Sequence, residues 1–408
     1  MSAMTFLSGT FCGKEIIIEK ILKKSSYNIL SDQDLIDRAS QLSGIPGQKI
    51  NNVFFNKTSV FNRFTHEKER SLAYLRLALA QALSGNNFLI DGFAGVLIPH
   101  SVSHVLRICL IADMKHRIAQ AMKEKRMSEK EACAHIQKDD EVFRVWIDSL
   151  YKMSDPWDTS LYDIIIPTDK MTDKEIISLI DSNLKSEVIQ PTKASMKAAE
   201  DFLQAAHVEV ALSNEGHAVD VSVRDGHVTL TIHTNVLLLS RLEEELKSIA
   251  GKVEGVNTVE TRIGKGFYKA DIYRKYDFQV PSKVLLVDDE REFVQTLSER
   301  LQMRDMGSAV AYDGESALNL VAEDEPDVMI LDLKMPGIDG IEVLKKVKTT
   351  QPDIEVIILT GHGSEADKEI CMQLGAYAYF QKPVDIDLLS QALKAANKKI
   401  QDAKKQKS

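Results

Sequence analysis

Near its C-terminus the chain carries short apolar runs that stop abruptly at acidic residues. Val284-Leu285-Leu286-Val287 is closed by Asp288 and Asp289, and Val328-Met329-Ile330-Leu331 by Asp332. Apolar runs of this length without alternation read as parallel strands buried on both faces. In such a sheet, ligands gather outside the carboxyl ends of the strands, which brings the three carboxylates to one rim. Converging like charges are costly unless a cation neutralises them or one keeps its proton. A hard divalent ion with oxygen ligands, Mg2+, meets that need. Farther along, Ile357-Ile358-Leu359 ends at Thr360, and Ala378-Tyr379-Phe380 leads to Lys382-Pro383, adding a hydroxyl and an ammonium to the rim. The set reads as a phosphoryl-accepting switch. A carboxylate can attack phosphorus, and the remaining catalysis is positioning and charge neutralisation.

The segments VLLVDDE, VMILDLKMPGIDG, LTGHG and GAYAYFQKP follow one another over about residues 281–400. Together they resemble the receiver domain of two-component response regulators. The resemblance implies a flavodoxin-like (βα)5 fold with a five-stranded parallel sheet. It implies that Asp332 accepts a phosphoryl group from a histidine kinase. Asp288, Asp289, Asp332 and the backbone carbonyl of Lys334 would hold Mg2+. Thr360 and Lys382 would bond the new phosphoryl oxygens, and Tyr379 would be the switch aromatic. By the same analogy, the strand bearing Tyr379 and the last helix form the contact face for a homodimer.

A chain of 408 residues is long enough for several domains, and the pattern of elements is α/β. The net charge of −9 argues against a dedicated nucleic-acid binder. The lysines after Leu393 (Lys394, Lys398, Lys399, Lys404, Lys405, Lys407) read as a solvated helix end. With no helix-turn-helix pattern in the chain, direct DNA binding is not expected. Cys12, Cys109, Cys133 and Cys371 are scattered, as small core residues in a reducing compartment are. No apolar run reaches the length of a membrane span. The first apolar stretch lacks the basic residues that precede a signal sequence. These features point to a cytoplasmic protein.

The middle of the chain has another texture. Val219, Val221 and Val223 alternate with polar residues, Asp225-Gly226 supplies a turn, and Val228, Leu230 and Ile232 alternate again. This pattern predicts a hairpin. Leu237, Leu238, Leu242, Leu246 and Ile249 then fall roughly on one helix face, and Val259, Thr261 and Ile263 form a third strand. The order, with DGHVTLTIHT and GKVEGVNTVETRI, resembles the BON domain, a small α+β module, over about residues 197–264. That family is associated with binding lipid or other surfaces. His207, His217, His227 and His233 lack the spacing of a metal site and read as solvent-facing. The aromatic stretch Phe267–Val280 reads as a linker that packs against a neighbour, and a plainer junction lies near Ser182–Ser195.

At the N-terminus, Met4-Thr5-Phe6-Leu7 leads through Ser8-Gly9-Thr10-Phe11-Cys12-Gly13-Lys14 into an apolar helix. Strand, glycine turn and helix are the ingredients of a phosphate-binding loop. The spacing is one residue short of that motif, Ser8 replaces its first glycine, and Glu15 stands where a hydroxyl would help hold Mg2+. Downstream, His104–Ala112 reads as a buried strand, a basic helix carries His116 and Arg117, and Ser128-Glu129-Lys130-Glu131 opens another helix by a capping box. With Trp157–Thr168, this succession resembles the cytidylate kinase-like family over about residues 1–185. The resemblance implies a P-loop α/β fold binding ATP or another nucleotide through Gly13 and Lys14. Asp32 would lie on the acceptor side, and Arg117 and Arg144 would bound a lid. Gln33 stands where that family has arginine, and Asp91-Gly92-Phe93-Ala94-Gly95 lacks its arginine between glycines. Neutral replacements cannot supply bidentate phosphate contacts. The reading is therefore a kinase-like fold used for sensing or output. The alternative is an active cytidylate (nucleoside monophosphate) kinase regulated by its receiver.

Overall fold

The computed structural model describes residues 3–55, 59–85, 87–234, 236, 239–264, 267, 281 and 283–407. The architecture is multidomain α/β, with two five-stranded parallel sheets and one three-stranded sheet. The chain divides into two compact units, one from 1–58, 68–214 and 219–273, the other from 59–67, 215–218 and 274–408.

In the first unit, strands β1 (Ala3–Ser8), β2 (Asn28–Ser31), β3 (Phe88–Asp91), β4 (Val105–Ile111) and β5 (Ile164–Pro167) lie in the order β2-β3-β1-β4-β5. All neighbours are parallel. Successive side chains of a strand point to opposite faces, so each strand must feed two cores. Met4, Phe6, Leu89, Ile108 and Leu110 pack with Ile17, Ile21, Ile176 and Ile180 on one face. Ala3, Ile90 and Val105 join Leu75, Leu79 and Trp146 on the other. Helix Glu129–Tyr151 begins with the capping box of Ser128 and Glu131 that the sequence signals.

The hairpin is present in the same unit. Strands β6 (Asp220–Arg224) and β7 (His227–Ile232) pair antiparallel, and β8 (Thr258–Ile263) adds parallel to β7. Asp225 and Gly226 both take positive φ, 51° and 75°. That is the twist a two-residue hairpin turn demands. Helix Leu239–Ala250 buries Leu242 and Leu246 against Val228, Leu230 and Ile232. Leu237 and Leu238 lie outside the described residues.

Helix Lys193–Asn214 serves two cores. Phe202 and Ala206 belong to the core of the larger sheet, whereas Val208 and Leu212 belong to the hairpin's. Arg76 reaches both carboxylate oxygens of Glu209 (3.0 and 3.1 Å), and the Tyr74 hydroxyl donates to Asn214 (2.9 Å). The junction expected near Ser182–Ser195 thus precedes a helix shared by the two layers. Histidine exposure departs from expectation at one position: His207, His227 and His233 are exposed, but His217 is buried. Of the stretch Phe267–Val280, only Phe267 and no later residue is described, and it is buried against the hairpin core.

In the second unit, β9 (Val284–Val287), β10 (Ser308–Ala311), β11 (Val328–Leu331), β12 (Glu355–Thr360) and β13 (Ala378–Gln381) form a parallel sheet ordered β10-β9-β11-β12-β13. The expected apolar runs are its strands. Leu285, Val287, Met329, Leu331 and Ile358 face Val343, Leu344 and Val347, and Phe61 is buried in that same layer. Val284, Leu286, Ile330, Ile357 and Leu359 face Val294, Leu297, Leu389 and Leu393. Connections leave β9 and β11 for opposite sides, which opens a crevice beyond their carboxyl ends.

A Cβ at Gly226 would come within 2.8 Å of the Gly255 carbonyl oxygen, on a backbone that side chains seldom adopt. Gly226→Val should therefore destabilise the first unit by roughly 1–3 kcal/mol, and Asp225→Asn should be tolerated. Urea denaturation of the two variants checks both.

Candidate functional site

Three carboxylates meet beyond β9 and β11. Asp288, Asp289 and Asp332 each place one oxygen within 4.8 Å of the others. Asp288 and Asp332 are buried, whereas Asp289 is exposed. Backbone bonds hold them there: Asp332 N–H donates to the Val287 carbonyl (2.9 Å), and Asp288 N–H to that of Ala311 (3.2 Å). Oδ1 of Asp332 is buried and has no hydrogen-bond partner among the described residues. A buried acceptor left unsatisfied is costly, and a cation with oxygen preference would satisfy it. The donor set therefore fits Mg2+. Burial raises the carboxyl of Asp288 above the usual range, against the pull of Lys382. Gly340 closes the loop behind Asp332, where a Cβ would lie 2.2 Å from the Asp332 carbonyl oxygen.

Thr360 ends β12, and Lys382 follows directly after β13. Thr360 is fully buried, and its hydroxyl accepts from His362 N–H (3.4 Å). The Lys382 ammonium lies 2.7 Å from Asp288 and 2.8 Å from Glu290, with the Phe293 ring 4.4 Å away. Burial alone would lower its basicity, but hydrogen bonds to the two carboxylates outweigh that and raise it. Glu290 is a partner that sequence reasoning missed. Its signal was its place directly after the Asp288-Asp289 pair. Tyr379 packs against the layer containing Leu331 and Leu333. Its hydroxyl is buried with no hydrogen-bond partner among the described residues and occupies the space a Cβ at Gly363 would need, 1.7 Å away. The Lys334 side chain is exposed.

The first unit holds a second candidate site. A cleft of about 840 Å³ opens over the loop after β1, lined among others by Gly13, Lys14, Asp32, Phe55, Phe93 and Phe143. Gly13 (φ 72°) caps helix Lys14–Leu22, and Phe11 takes a left-handed conformation (φ 62°) rare for an aromatic. The expected phosphate cations have internal partners. Lys14 is paired with Asp91 at 2.5 Å. Arg117 is buried, donates to the Thr10 carbonyl (2.8 Å), and binds Asp140 in bidentate fashion (2.8 and 2.7 Å). Thr10 also donates to Asp139 (2.8 Å). Arg144 is exposed, paired with Glu141 (2.7 Å) and not among the cleft residues. The lining has carboxylates at Glu15, Asp32, Asp91, Glu124 and Asp139, against the ammonium groups of Lys14 and Lys125. Asp32 accepts from Phe93 and Ala94 N–H (2.7 and 2.8 Å) across Gly92, where no Cβ would fit. Burial outweighs these bonds and pushes its carboxyl up to about 6.

Residues 284–394 match the model of the response regulator receiver domain. Sporulation initiation phosphotransferase F of Bacillus subtilis (strain 168) is 38% identical over 112 residues, which cover 28% of this chain and 90% of that protein. The chain belongs to the response regulator receiver family. The transcriptional regulatory protein CpxR of Escherichia coli (strain K12) is 44% identical over 102 residues, 25% of this chain and 43% of that protein. The chain thus spans less than half the length of CpxR. A solved receiver domain from Clostridium thermocellum is 34% identical, covering 29% of this chain and 94% of that one, with a TM-score of 0.28. Residues 5–170 match the cytidylate kinase-like family.

Sequence reasoning on the kinase-like part missed the acids that engage its cations. Asp139-Asp140 was visible as a pair on a helix, but only folding sets it beside the loop. Asp32 gives the cleft a pH dependence with a definite sign. Its folded-state value lies above the ordinary carboxylate value, so its charge costs stability near neutrality, and that cost is relieved as pH falls through about 6. The stability difference between the native protein and Asp32→Asn should shift in favour of the native protein from pH 7 to pH 5. Its slope should approach at most about 1.4 kcal/mol per pH unit. Paired urea titrations across that range measure it.

Proposed function

We propose that the protein is a phosphorelay response regulator in which Asp332 accepts a phosphoryl group from a histidine kinase. One observation carries this reading: Asp332, which has a buried oxygen with no hydrogen-bond partner among the described residues, meets Asp288 and Asp289 with carboxylate oxygens within 4.8 Å at the crevice of a doubly wound sheet. In the transfer, an Asp332 oxygen forms a bond to phosphorus as the P–N bond of the donor phosphohistidine breaks, and the imidazole takes up a proton. Asp288, Asp289 and Asp332, with the Lys334 carbonyl, would hold Mg2+, whose charge would offset theirs and that of the transferred group. Lys382 leaves Glu290 to bond a phosphoryl oxygen, and Thr360 supplies a hydroxyl to another. Tyr379 follows Thr360 and reports the change to the surface. We assign domains to residues 1–185, 197–264 and 281–400.

The kinase-like part serves sensing or output, because Lys14 and Arg117 are committed to Asp91 and Asp140 and its cleft is rich in carboxylates. An anionic nucleotide must displace those partners before Lys14 or Arg117 grips a phosphate. A nucleoside monophosphate kinase using ATP is the second reading, favoured by the retained strand–loop–helix geometry above the cleft. The module at 197–264 acts as a BON-like binding surface. Output runs without direct DNA contact in a cytoplasmic setting, with a receiver homodimer through the face of β13 and the last helix. No helix among the described residues is long and apolar enough to cross a membrane.

Acetyl phosphate and Mg2+ should label the full chain, and Asp332→Ala should reduce labelling to background. Label persisting in that variant sinks the proposal. Lys382→Ala should slow labelling by about 100-fold, as loss of one preorganised charge does. In a coupled ADP-release assay with CMP and other monophosphates, no turnover above background is expected. Turnover at ordinary kinase rates would establish the second reading instead.

A further inference from the structure

One buried aromatic in the receiver core comes from none of the receiver's strands or helices. Phe61 is 1% exposed and packs in the layer that holds Val287, Leu331, Leu333 and Val321, against which Tyr379 also rests. Polar contacts clamp the segment around it. Val60 N–H donates to Asp324 at 2.7 Å, just beyond helix Gly314–Glu323. Lys283, itself 7% exposed at the entry to β9, bonds Glu67 at 2.5 Å and lies 3.9 Å from Asp324. A buried ammonium needs such carboxylates, and each carboxylate is anchored by it. Residues 59–67 fall within the stretch that matches the cytidylate kinase-like family, yet they are built into the receiver's compact unit.

We infer that Ser59–Glu67 is a docking segment seated on the receiver, through which the phosphorylation state of Asp332 acts on the N-terminal cleft. The inference rests on the proposed role of Asp332. Its physical basis is shared packing. Cores are close-packed and repack between discrete arrangements instead of deforming smoothly. Leu333 follows Asp332 directly in the chain, and the Tyr379 hydroxyl and the Thr360 methyl both crowd the Cβ position of Gly363 (1.7 and 2.8 Å), so a phosphoryl group that shifts Asp332 or Thr360 disturbs the layer holding Phe61. Phe55, which lines the cleft, stands on the same stretch of chain just ahead of Ser59. A pull on Phe61 therefore has a short covalent route to the cleft.

Hydrogen exchange on the full chain, with and without beryllofluoride and Mg2+ as a stand-in for aspartyl phosphate, tests the inference. In the native protein, the additive should alter exchange at Gly361–Ser364, at 59–67 and at 50–55. Phe61→Ala should accelerate exchange at 59–67 by about 100-fold or more, as loss of a buried phenylalanine ring implies. It should keep the response at Gly361–Ser364 and lose the one at 50–55. Glu67→Gln, a milder change that leaves the ring in place, should weaken the response at 50–55 in the same direction. A response at Gly361–Ser364 with none at 59–67 or 50–55 overturns the coupling and leaves the phosphorylation reading intact. So does an undiminished response at 50–55 in Phe61→Ala. No response anywhere, including Gly361–Ser364, overturns the phosphorylation reading and the coupling with it.

Discussion

Asp288 and Asp332 are carried into the receiver at the ends of adjacent strands whose ladder hydrogen bonds keep them from moving apart. Their mutual repulsion cannot be relaxed by the backbone, so it must be met by what occupies the crevice. In the structure, Lys382 meets part of it by lying against Asp288 and Glu290. That leaves Asp332 with a buried oxygen unanswered among the described residues. Much of the receiver follows from this constraint: a largely apolar sheet to hold the strands, and a glycine at 340 to bring the loop down behind Asp332. A lysine is also already drawn towards the charge.

The N-terminal cleft resolves its charges in the opposite way. Lys14, which ends the loop after β1, and Arg117, which bonds the Thr10 carbonyl in it, close on Asp91 and Asp140 within the protein itself. Arg117 is buried with both terminal nitrogens and its Nε engaged, so it behaves as a brace between loop and helix. The same kind of residue that would clamp a ligand phosphate thus stabilises the protein's own loop. Where the receiver keeps an acceptor open, the loop after β1 has Lys14 and Arg117 engaged.

Much of the architecture was legible in the residues. The runs closed by Asp288 and Asp332 read as two-sided strands, and Asp225-Gly226 as a tight turn, because run length, alternation and turn chemistry are local properties. The receiver rim was readable for the same reason: each of its residues sits at a strand end, and a parallel sheet gathers strand ends. His217 was misread as exposed because burial depends on what packs over a segment. Glu290, Asp91 and Asp140 escaped notice as partners because pairing of charges is a matter of distance, which sequence order does not encode.

Local chemistry alone therefore determined the strands, the capped helices, the hairpin and the acidic rim. Tertiary structure decided which cations were already engaged, that helix Lys193–Asn214 serves two cores, and that Phe61 completes the receiver layer. The division has a physical cause. Propensity and periodicity act over a few neighbouring residues, whereas burial and ion pairing act between residues that meet only after the chain has folded.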